Sequence, residues 1–172
     1  HDALPICAPT EQVIEIAVKR QPNGKVSNWL HDELKVGDVL ELGDVGGEFV
    51  LPAQLPTKLL LIAGGSGITP VYSLVVEALK RQPNLDIAVM YYANTDKDLA
   101  FANELVELAV KYPSLKLTYA LAETGVSGRF SEQQLANAYA DYSERLTYLC
   151  GPQGLMNAVS QVWQEKGISQ QL

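Results

Sequence analysis

Residues 59–70 of the 172-residue chain read LLLIAGGSGITP. The apolar run 59–63 is followed at once by turn residues, which is typical of a strand buried on both faces. Gly64, Gly65 and Gly67 come next. Glycine tolerates positive φ angles and lets a ligand approach the backbone closely. The pattern therefore predicts a buried strand that ends in a tight turn, whose backbone a ligand can approach closely.

A helix is predicted to begin directly after this turn, with Thr69 as its N-cap and Pro70 in its first turn. A strand that leads through a glycine turn into a helix N-terminus presents free N–H groups to an anion such as a phosphate. No Gly-Lys-Ser/Thr follows, so the turn is not a nucleoside triphosphate P-loop. Gly65 and Gly67 begin a dinucleotide fingerprint, but Pro70 replaces its third glycine, which disfavours an ordinary Rossmann dehydrogenase. The glycines alone also fit a tight strand–helix turn in any α/β protein.

Strands alternate with helices over the remainder of the chain. Further strands are predicted at 86–92, 115–121 and 147–150, where short β-type runs lie between turn residues. The intervening segments carry apolar stripes of helical period, formed by Leu74, Val75, Ala78 and Leu79, by Phe101, Leu105, Leu108 and Ala109, and by Leu155, Val159, Val162 and Trp163. This alternation predicts an α/β fold with a doubly wound parallel sheet. The glycine turn and the sequence Cys150-Gly151-Pro152 both follow strands, so both are expected at the carboxyl edge, where such sheets bind ligands.

Two helix ends carry local signals. Ser131 and Gln134 form a capping-box pattern at the start of a short helix. Gly167 occupies the C′ position after the last helix, where a left-handed residue is favoured.

The first third of the chain reads as short strands around one helix. Residues 13–18 have apolar side chains at alternating positions, with Glu15 between two of them, and predict a strand; a turn follows at Pro22, Asn23 and Gly24. A short helix is predicted over 28–31, with Ser27 near its start. Strands are also predicted at 39–42 and after the sequence Gly46-Gly47-Glu48-Phe49, and a linker at 52–56. A lone phenylalanine such as Phe49 is most often a core residue.

Composition excludes several classes of function. The net charge of −7 argues against a nucleic-acid surface, and no apolar run approaches the roughly 18 residues that cross a bilayer. The two cysteines, Cys7 and Cys150, have no metal-ligand spacing and cannot hold an iron–sulfur cluster. This use of cysteine favours a reducing, cytoplasmic location.

Residues 1–6 read HDALPI, which resembles a translated adapter, and we expect them to be a non-native leader, for which no element is predicted. Cys7 is expected at the junction.

Two motifs resemble one known family. The sequence Gly-Gly-Ser-Gly-Ile-Thr-Pro at 64–70 is similar to the pyridine-nucleotide motif of the ferredoxin–NADP reductase superfamily. Cys150-Gly151-Pro152 is similar to a later segment of that family, which ends a strand beside the nicotinamide. The resemblance runs from about residue 8 to 172 and implies an NAD(P)H- and FAD-dependent oxidoreductase. The nucleotide-binding residues that it implies are Gly64, Gly65, Ser66, Gly67, Ile68, Thr69, Pro70, Gly151 and Pro152.

The resemblance implies a role for Cys150 as well. Cys150 would lie where nicotinamide and flavin meet. Packing and orientation are expected of it rather than nucleophilic attack, because no histidine is near it in sequence. His31, on the short helix, is read as a surface residue.

In the same family, Gly24, Lys25, Val26 and Ser27 would hold the flavin pyrophosphate, again at a helix N-terminus. Gly46-Gly47-Glu48-Phe49 resembles the end of the family's flavin barrel. The family's Arg-x-aromatic-Ser flavin motif would stand before Ala8, where the suspected leader lies instead. The resemblance thus implies a partial antiparallel FAD-binding β-barrel at 1–54 and an NAD(P)-binding domain at 55–172 that lacks its last strand.

The electron acceptor implied by the family is a ferredoxin, a [2Fe-2S] domain, a flavodoxin or a haem protein. Reductases with a plant-type [2Fe-2S] domain and flavohaemoglobins both remain open. A non-catalytic nucleotide-binding module is the alternative from another class, and a generic α/β domain is a third. Where NADPH-specific relatives carry a serine–arginine pair, this chain has Ala122 and Glu123, which favours NADH because Glu123 would repel a 2′-phosphate, although Arg129 could compensate.

Overall fold

The computed structural model describes residues 3–5, 14–41, 43, 46–124 and 129–172. The strands and α-helices of these ranges are, in chain order, β1 (Ala3–Pro5), β2 (Ile16–Val18), α1 (Lys25–Asp32), β3 (Lys58–Gly64), α2 (Ile68–Arg81), β4 (Asp86–Ala93), α3 (Ala102–Lys111), β5 (Leu115–Leu121), α4 (Glu132–Ala138), β6 (Leu146–Cys150) and α5 (Gln153–Glu165).

The strands β3 to β6 form a parallel sheet in the order β5-β4-β3-β6. The chain adds β4 and β5 on one side of β3 and then returns to place β6 on the other side. The winding direction therefore reverses between β3 and β6, which confirms the predicted doubly wound sheet. Such a reversal opens a crevice at the carboxyl ends of the two strands on either side of it.

Both faces of the sheet are covered because its central strands, β3 and β4, are apolar at every position after their first residue. The β3 residues Leu59 and Leu61 pack with α2 and α3 in one buried cluster, whereas Leu60 and Ile62 pack with α4 and α5 in the other. All four side chains are fully buried. Each such burial stabilises the fold by about 1.5–3 kcal/mol. The apolar stripes predicted for α2 and α5 provide the opposing surfaces, with Trp163 buried on α5.

A buried arginine joins the strands at the amino edge of the sheet. Arg145 donates to both carboxylate oxygens of Asp86, at the start of β4, and to both of Asp141, over 2.9–3.0 Å. It also donates to the Leu59 carbonyl at 3.1 Å. Lys58 pairs with Asp141 at 2.8 Å. The hydrogen bonds from Arg145 and then from Lys58 hold the pKa of Asp141 well below its usual range.

The N-terminal part of the chain differs from the prediction in two ways. The strand predicted at 13–18 is shorter, since β2 comprises Ile16–Val18 and Val13 lies outside the described residues. Ala3–Pro5, for which no element was predicted, pairs antiparallel with β2. The backbone of β2 offers an edge that this stretch extends. Cys7 and Ala8, for which a junction and a family flank were predicted, lie outside the described residues.

The two later strands predicted for this region are absent from its described residues. Residues 39–41 and 46–51 are in no strand, and Leu42 lies outside the description. Phe49, expected in the core, is 37% exposed, and its ring meets Tyr148 edge-on at 5.3 Å. Isolated β-type sequences do not form strands without a neighbour to accept their hydrogen bonds. Apolar side chains there, including Val39 and Val50, are consequently exposed.

Within the described residues, no helix combines the length and the apolar character that crossing a membrane requires.

Candidate functional site

Two turns meet at the carboxyl edge of the sheet, where its winding reverses. In the parallel pair of β3 and β6, Ala63 lies opposite Cys150. The next residues, Gly64 and Gly151, enter the β3–α2 turn and the β6–α5 turn. The two motifs, which are more than 80 positions apart in the chain, are therefore neighbours in space.

Close packing explains three of the glycines. A Cβ at Gly67 would overlap the carbonyl oxygen of Cys150 and would lie 2.8 Å from the Gly151 nitrogen. A Cβ at Gly64 would lie 2.9 Å from Pro152, and one at Gly151 would lie 3.0 Å from the Gly64 nitrogen. Side chains at these positions would separate the two turns, so glycine is needed here for backbone contact.

The start of α2 corrects one prediction. The helix begins at Ile68 with Gly67 as its N-cap, and the preceding Gly65–Gly67 form a turn of 3₁₀-helix. Thr69 is therefore inside the helix and is not its cap. Its hydroxyl donates to the Ser66 carbonyl at 3.1 Å. The 3₁₀ turn displaces the cap because the Ile68 N–H bonds to the Gly65 carbonyl and fixes the turn without a side chain. Pro70 does lie in the first helical turn, as predicted.

Gly65 faces open space rather than another turn. Its φ of +53° is left-handed, and an added Cβ would meet nothing within 4 Å. Gly65 lines both clefts described below. Its bare backbone is thus available to a ligand, next to the positive end of the α2 dipole.

The larger cleft, of about 650 Å³, extends from Gly65 between the end of β4 and the start of α5. That volume is in the range of small-molecule sites. Its other lining residues are Lys19, Gly64, Tyr92, Ala93, Asn94, Asp98, Arg129, Phe130, Pro152, Gly154, Leu155 and Ala158. The cationic side chains of Lys19 and Arg129 and the glycine turn suit an anionic ligand. The aromatic pair of Tyr92 and Phe130, whose ring centroids are 6.2 Å apart, suits an aromatic group on that ligand.

The smaller cleft, of about 300 Å³, lies on the other side of Gly65. Ala17, Val18 and Lys19, at the end of β2, form one wall. Ser66, Thr69 and the loop 97–100 form the other. Lys19 lines both clefts, a placement that sequence reasoning missed because nothing local in the sequence links Lys19 to residue 65.

Tyr91 is a second residue that sequence reasoning missed. It is fully buried, its hydroxyl donates to the Gly65 carbonyl at 3.1 Å, and it accepts from the Ala100 N–H at 3.2 Å. Burial raises the pKa of Tyr91 to about 12, so the hydroxyl stays protonated. In the sequence, Tyr91 is one of several β-forming residues in a row. Its hydrogen bond to Gly65 can be recognised only in the folded structure, where the two residues are neighbours.

Cys150 is half-buried, and burial raises the pKa of its thiol. A raised pKa lowers the thiolate fraction at neutral pH, which is opposite to the activation of a nucleophilic cysteine. Cys150 does not line either cleft. Its contribution to the site is its backbone, against which Gly67 packs.

The predicted flavin-binding segment has the geometry of an anion site but lies elsewhere. Gly24 is the N-cap of α1, and the first intrahelical bond runs from the Asn28 N–H to the Gly24 carbonyl at 3.1 Å. The amides of Lys25, Val26 and Ser27 precede that bond and suit a phosphate. The Ser27 hydroxyl accepts the Gln21 N–H at 3.1 Å, and a Cβ at Gly24 would lie 2.6 Å from it. None of Gly24, Lys25, Val26 and Ser27 lines either cleft.

The residues considered for nucleotide preference are placed apart. Glu123 accepts the Asp96 N–H at 2.9 Å and lines neither cleft, whereas Arg129 lines the larger one. His31 is at the surface, with Nε2 at 2.9 Å from the Val18 carbonyl. No cluster of three or more metal-ligand side chains occurs in the described part of the chain.

The sequence and fold are similar to those of known reductases. An NADPH oxidoreductase of Mycobacterium tuberculosis (strain ATCC 25618 / H37Rv) is 33% identical over 168 residues, which is 98% of this chain and 44% of that protein. The chain thus spans less than half the length of this relative. The ferredoxin–NADP⁺ reductase of Plasmodium falciparum has the same fold, with a TM-score of 0.84 at 19% identity over 98% of this chain and 74% of that one.

A further solved structure is the flavohem-like FAD/NAD-binding domain of nitric oxide dioxygenase from Vibrio cholerae O1 biovar El Tor. Its TM-score is 0.79 at 26% identity, over 96% of this chain and 71% of that one. The sequence model of the oxidoreductase NAD-binding domain family matches residues 61–161, which include both turns of the site. The chain therefore belongs to the oxidoreductase NAD-binding domain family, within the ferredoxin–NADP reductase superfamily that its two motifs resemble.

Proposed function

We propose that this chain forms the nicotinamide-nucleotide and flavin-binding part of an NAD(P)H-dependent reductase. Bound NAD(P)H would supply a hydride to FAD, which passes electrons singly to an acceptor protein. The observation that carries the proposal is the contact between the two turns. The left-handed, open Gly65 and the Cys150–Gly151 peptide lie at one sheet edge, beside a cleft with two cationic side chains.

The chain's own residues would bind and orient the nucleotide. Gly64, Gly65, Ser66 and Gly67 would receive the phosphates at the N-terminus of α2, and Lys19 and Arg129 would neutralise their charge. Ile68, Thr69 and Pro70 would hold the first helical turn in place. Gly151 and Pro152 would keep the neighbouring turn close enough to form the cleft wall. Cys150 would orient the nicotinamide indirectly, through its backbone, which Gly67 contacts and which holds the β3–α2 turn in place.

The flavin would be held by the N-terminal part of the chain. The Lys25, Val26 and Ser27 amides, with Gly24 as N-cap, offer an anion site for the FAD pyrophosphate. We accordingly propose a division into a partial flavin-binding part at 1–54 and a nucleotide-binding domain at 55–172. Ala17, Val18 and Lys19 support the arrangement, because they share the smaller cleft with Gly65 and Ser66.

Binding and reduction are measured in sequence on the purified chain. NADH is first titrated by calorimetry, and FAD is then titrated by quenching of its fluorescence. NADH is finally added without oxygen to the FAD-loaded protein. Bleaching of the flavin absorbance at a rate above that of free FAD supports the reductase. Absence of NADH binding would contradict the proposal.

A non-catalytic nucleotide-binding module is the second candidate. The observation that favours it is that none of the proposed flavin residues, Gly24, Lys25, Val26 and Ser27, lines either cleft. A chain that binds NADH but neither binds FAD nor accelerates its reduction would establish the module instead.

We propose NADH as the preferred nucleotide, because Glu123 follows β5, where plant-type reductases carry the arginine of a serine–arginine pair, and its charge would repel a 2′-phosphate. In Glu123→Gln the amide oxygen still accepts the Asp96 N–H while the charge is removed. NADPH should then bind about fivefold more tightly, which corresponds to about 1 kcal/mol of relieved repulsion, with NADH affinity unchanged. Calorimetric titration of both nucleotides measures this ratio, and Arg129→Gln should shift it the opposite way. Clear preference for NADPH in the unsubstituted chain would overturn this assignment.

The acceptor is proposed to be a ferredoxin, a [2Fe-2S] domain, a flavodoxin or a haem protein. The relatives named for ferredoxin and for nitric oxide dioxygenase support both main alternatives. The rate of reduction of added plant-type ferredoxin is compared with that of cytochrome c, which serves as a general acceptor. Faster reduction of the ferredoxin would favour an iron–sulfur acceptor over a haem protein.

A further inference from the structure

The Tyr91 hydroxyl helps to set which way one peptide of the glycine turn faces, because its hydrogen bond to the Gly65 carbonyl adds to the one that this carbonyl accepts from the Ile68 N–H. The carbonyl of the Gly65–Ser66 peptide points to the hydroxyl, on the buried side of the turn. In a trans peptide the N–H points opposite to the C=O, and this structure contains no cis peptide within its described residues. The Ser66 N–H therefore faces away from the core, on the side that is open to ligand.

The other partner of Tyr91 is a loop that is held independently. Thr95 and Asp98 form a reciprocal capping box, and Glu123 accepts the Asp96 N–H. The Phe101 ring stacks on Tyr72 with centroids 5.1 Å apart. These contacts fix the loop without Tyr91. The Tyr91 hydroxyl therefore links the glycine turn to a segment that is already held in place. The same loop lines both clefts through Asp98.

We propose that Tyr91 is a positioning residue of the nucleotide site, which holds the Gly65–Ser66 peptide so that the Ser66 N–H faces the phosphates of the bound nucleotide. This inference rests on the proposed function for the identity of the ligand. Tyr91 itself does not touch the nucleotide, since it is fully buried. The Tyr91 hydroxyl restricts the conformational freedom that glycine gives the backbone of the turn.

Tyr91→Phe tests the link, with Tyr119→Phe as its matched control. Tyr119 is on the neighbouring strand, its ring centroid is 6.2 Å from that of Tyr91, and its buried hydroxyl has no hydrogen-bond partner in the described part of the structure. Tyr91→Phe should weaken binding of NADH and of inorganic pyrophosphate about fivefold, the effect of one lost hydrogen bond. Tyr119→Phe should change either by less than about twofold.

A spectroscopic signature separates positioning from a general loss of stability. In ¹⁵N–¹H spectra of the free chain, Tyr91→Phe should shift the Ser66 and Ala100 amide signals, whereas Tyr119→Phe should leave them in place. A Ser66 signal that moves no more in Tyr91→Phe than in the control would overturn the inference. This readout needs no ligand, so it still decides the matter if NADH fails to bind and the proposed function falls.

A measurement on the unsubstituted chain tests the inference even if Tyr91→Phe does not fold. The Ala100 amide bonds to a buried acceptor, so its hydrogen exchange should be slow for a loop position. Exchange at the rate of an open loop would show that the hydrogen bond from the Ala100 N–H to the Tyr91 hydroxyl is not stably formed; Tyr91 would then lack the fixed partner from which it orients the glycine turn, and the inference would be overturned.

Discussion

The two ends of the four-stranded sheet use the same strands in opposite ways. At the amino end, the charged side chains bind one another, since Arg145 is enclosed by Asp86 and Asp141 and is only 2% exposed. At the carboxyl end, side chains are absent where the chain turns, and backbone meets backbone at Gly64, Gly67 and Gly151. The amino end therefore has few unsatisfied groups to offer a ligand, while the carboxyl end presents bare amides to a cleft. We therefore expect the amino end to contribute mainly to stability and the carboxyl end to bind the ligand.

Removing the buried arginine should have the largest effect on stability. Arg145→Ala leaves two carboxylates facing each other at the amino end without their common donor. We expect a loss of about 3–5 kcal/mol in the free energy of unfolding, measured with urea. NADH affinity of the folded fraction should stay within about twofold, because the network is at the end of the sheet opposite the glycine turn.

Lys58→Ala is the control for this prediction. Lys58 joins the same network from a partly exposed position, where an ion pair contributes about 1 kcal/mol or less. A loss of NADH affinity in Arg145→Ala beyond the loss of folded protein would show that the two ends of the sheet are coupled.

The mirror-image prediction concerns Gly65 at the carboxyl end. Gly65→Ala places a Cβ in a left-handed residue that faces the clefts, so it should cost about 1 kcal/mol of stability. NADH binding should weaken about tenfold, because the Cβ occupies space that the phosphates need. Calorimetric titration and urea unfolding measure the two effects separately.

Gly167→Ala is the matched control, since Gly167 has a similar φ of +69° and equally open space but lies after α5, away from both clefts. It should lose similar stability without losing NADH affinity. Equal weakening of binding in both variants would mean that strain alone, and not the open backbone of Gly65, governs affinity.

The sequence predicted the sheet well because local pattern and burial agree there. The run 59–63 is apolar at every position and lies inside a fully covered strand, and β5 has the predicted bounds. Gly167 takes the left-handed conformation that its place after α5 requires. The neighbourhood of Gly64 and Gly151 was also predictable, since parallel strands bring their carboxyl ends to one edge.

Long-range contacts account for what was missed. Val39 and Leu40 have β-type character, but no strand accompanies them among the described residues, so the pattern alone could not specify a strand. The 3₁₀ turn that displaces Thr69 from the N-cap depends on backbone bonds of glycines, which side-chain preferences do not encode. Tyr91 and Lys19 reach Gly65 only through the tertiary fold.

The smallest expected effect concerns Cys150, a side chain that can react at the carboxyl end of the sheet. Burial raises the pKa of its thiol, so at any pH near neutrality less thiolate is present than in an unfolded chain, whose cysteines titrate near pH 8.5. Alkylation by iodoacetamide should therefore be several-fold slower in the folded chain at pH 8, and its midpoint should lie at higher pH. Peptide mass spectrometry separates Cys150 from Cys7, and urea-unfolded chain is the control. A midpoint below that of the unfolded chain would identify an activated thiolate, and the carboxyl end would then act through a side chain as well as through its backbone.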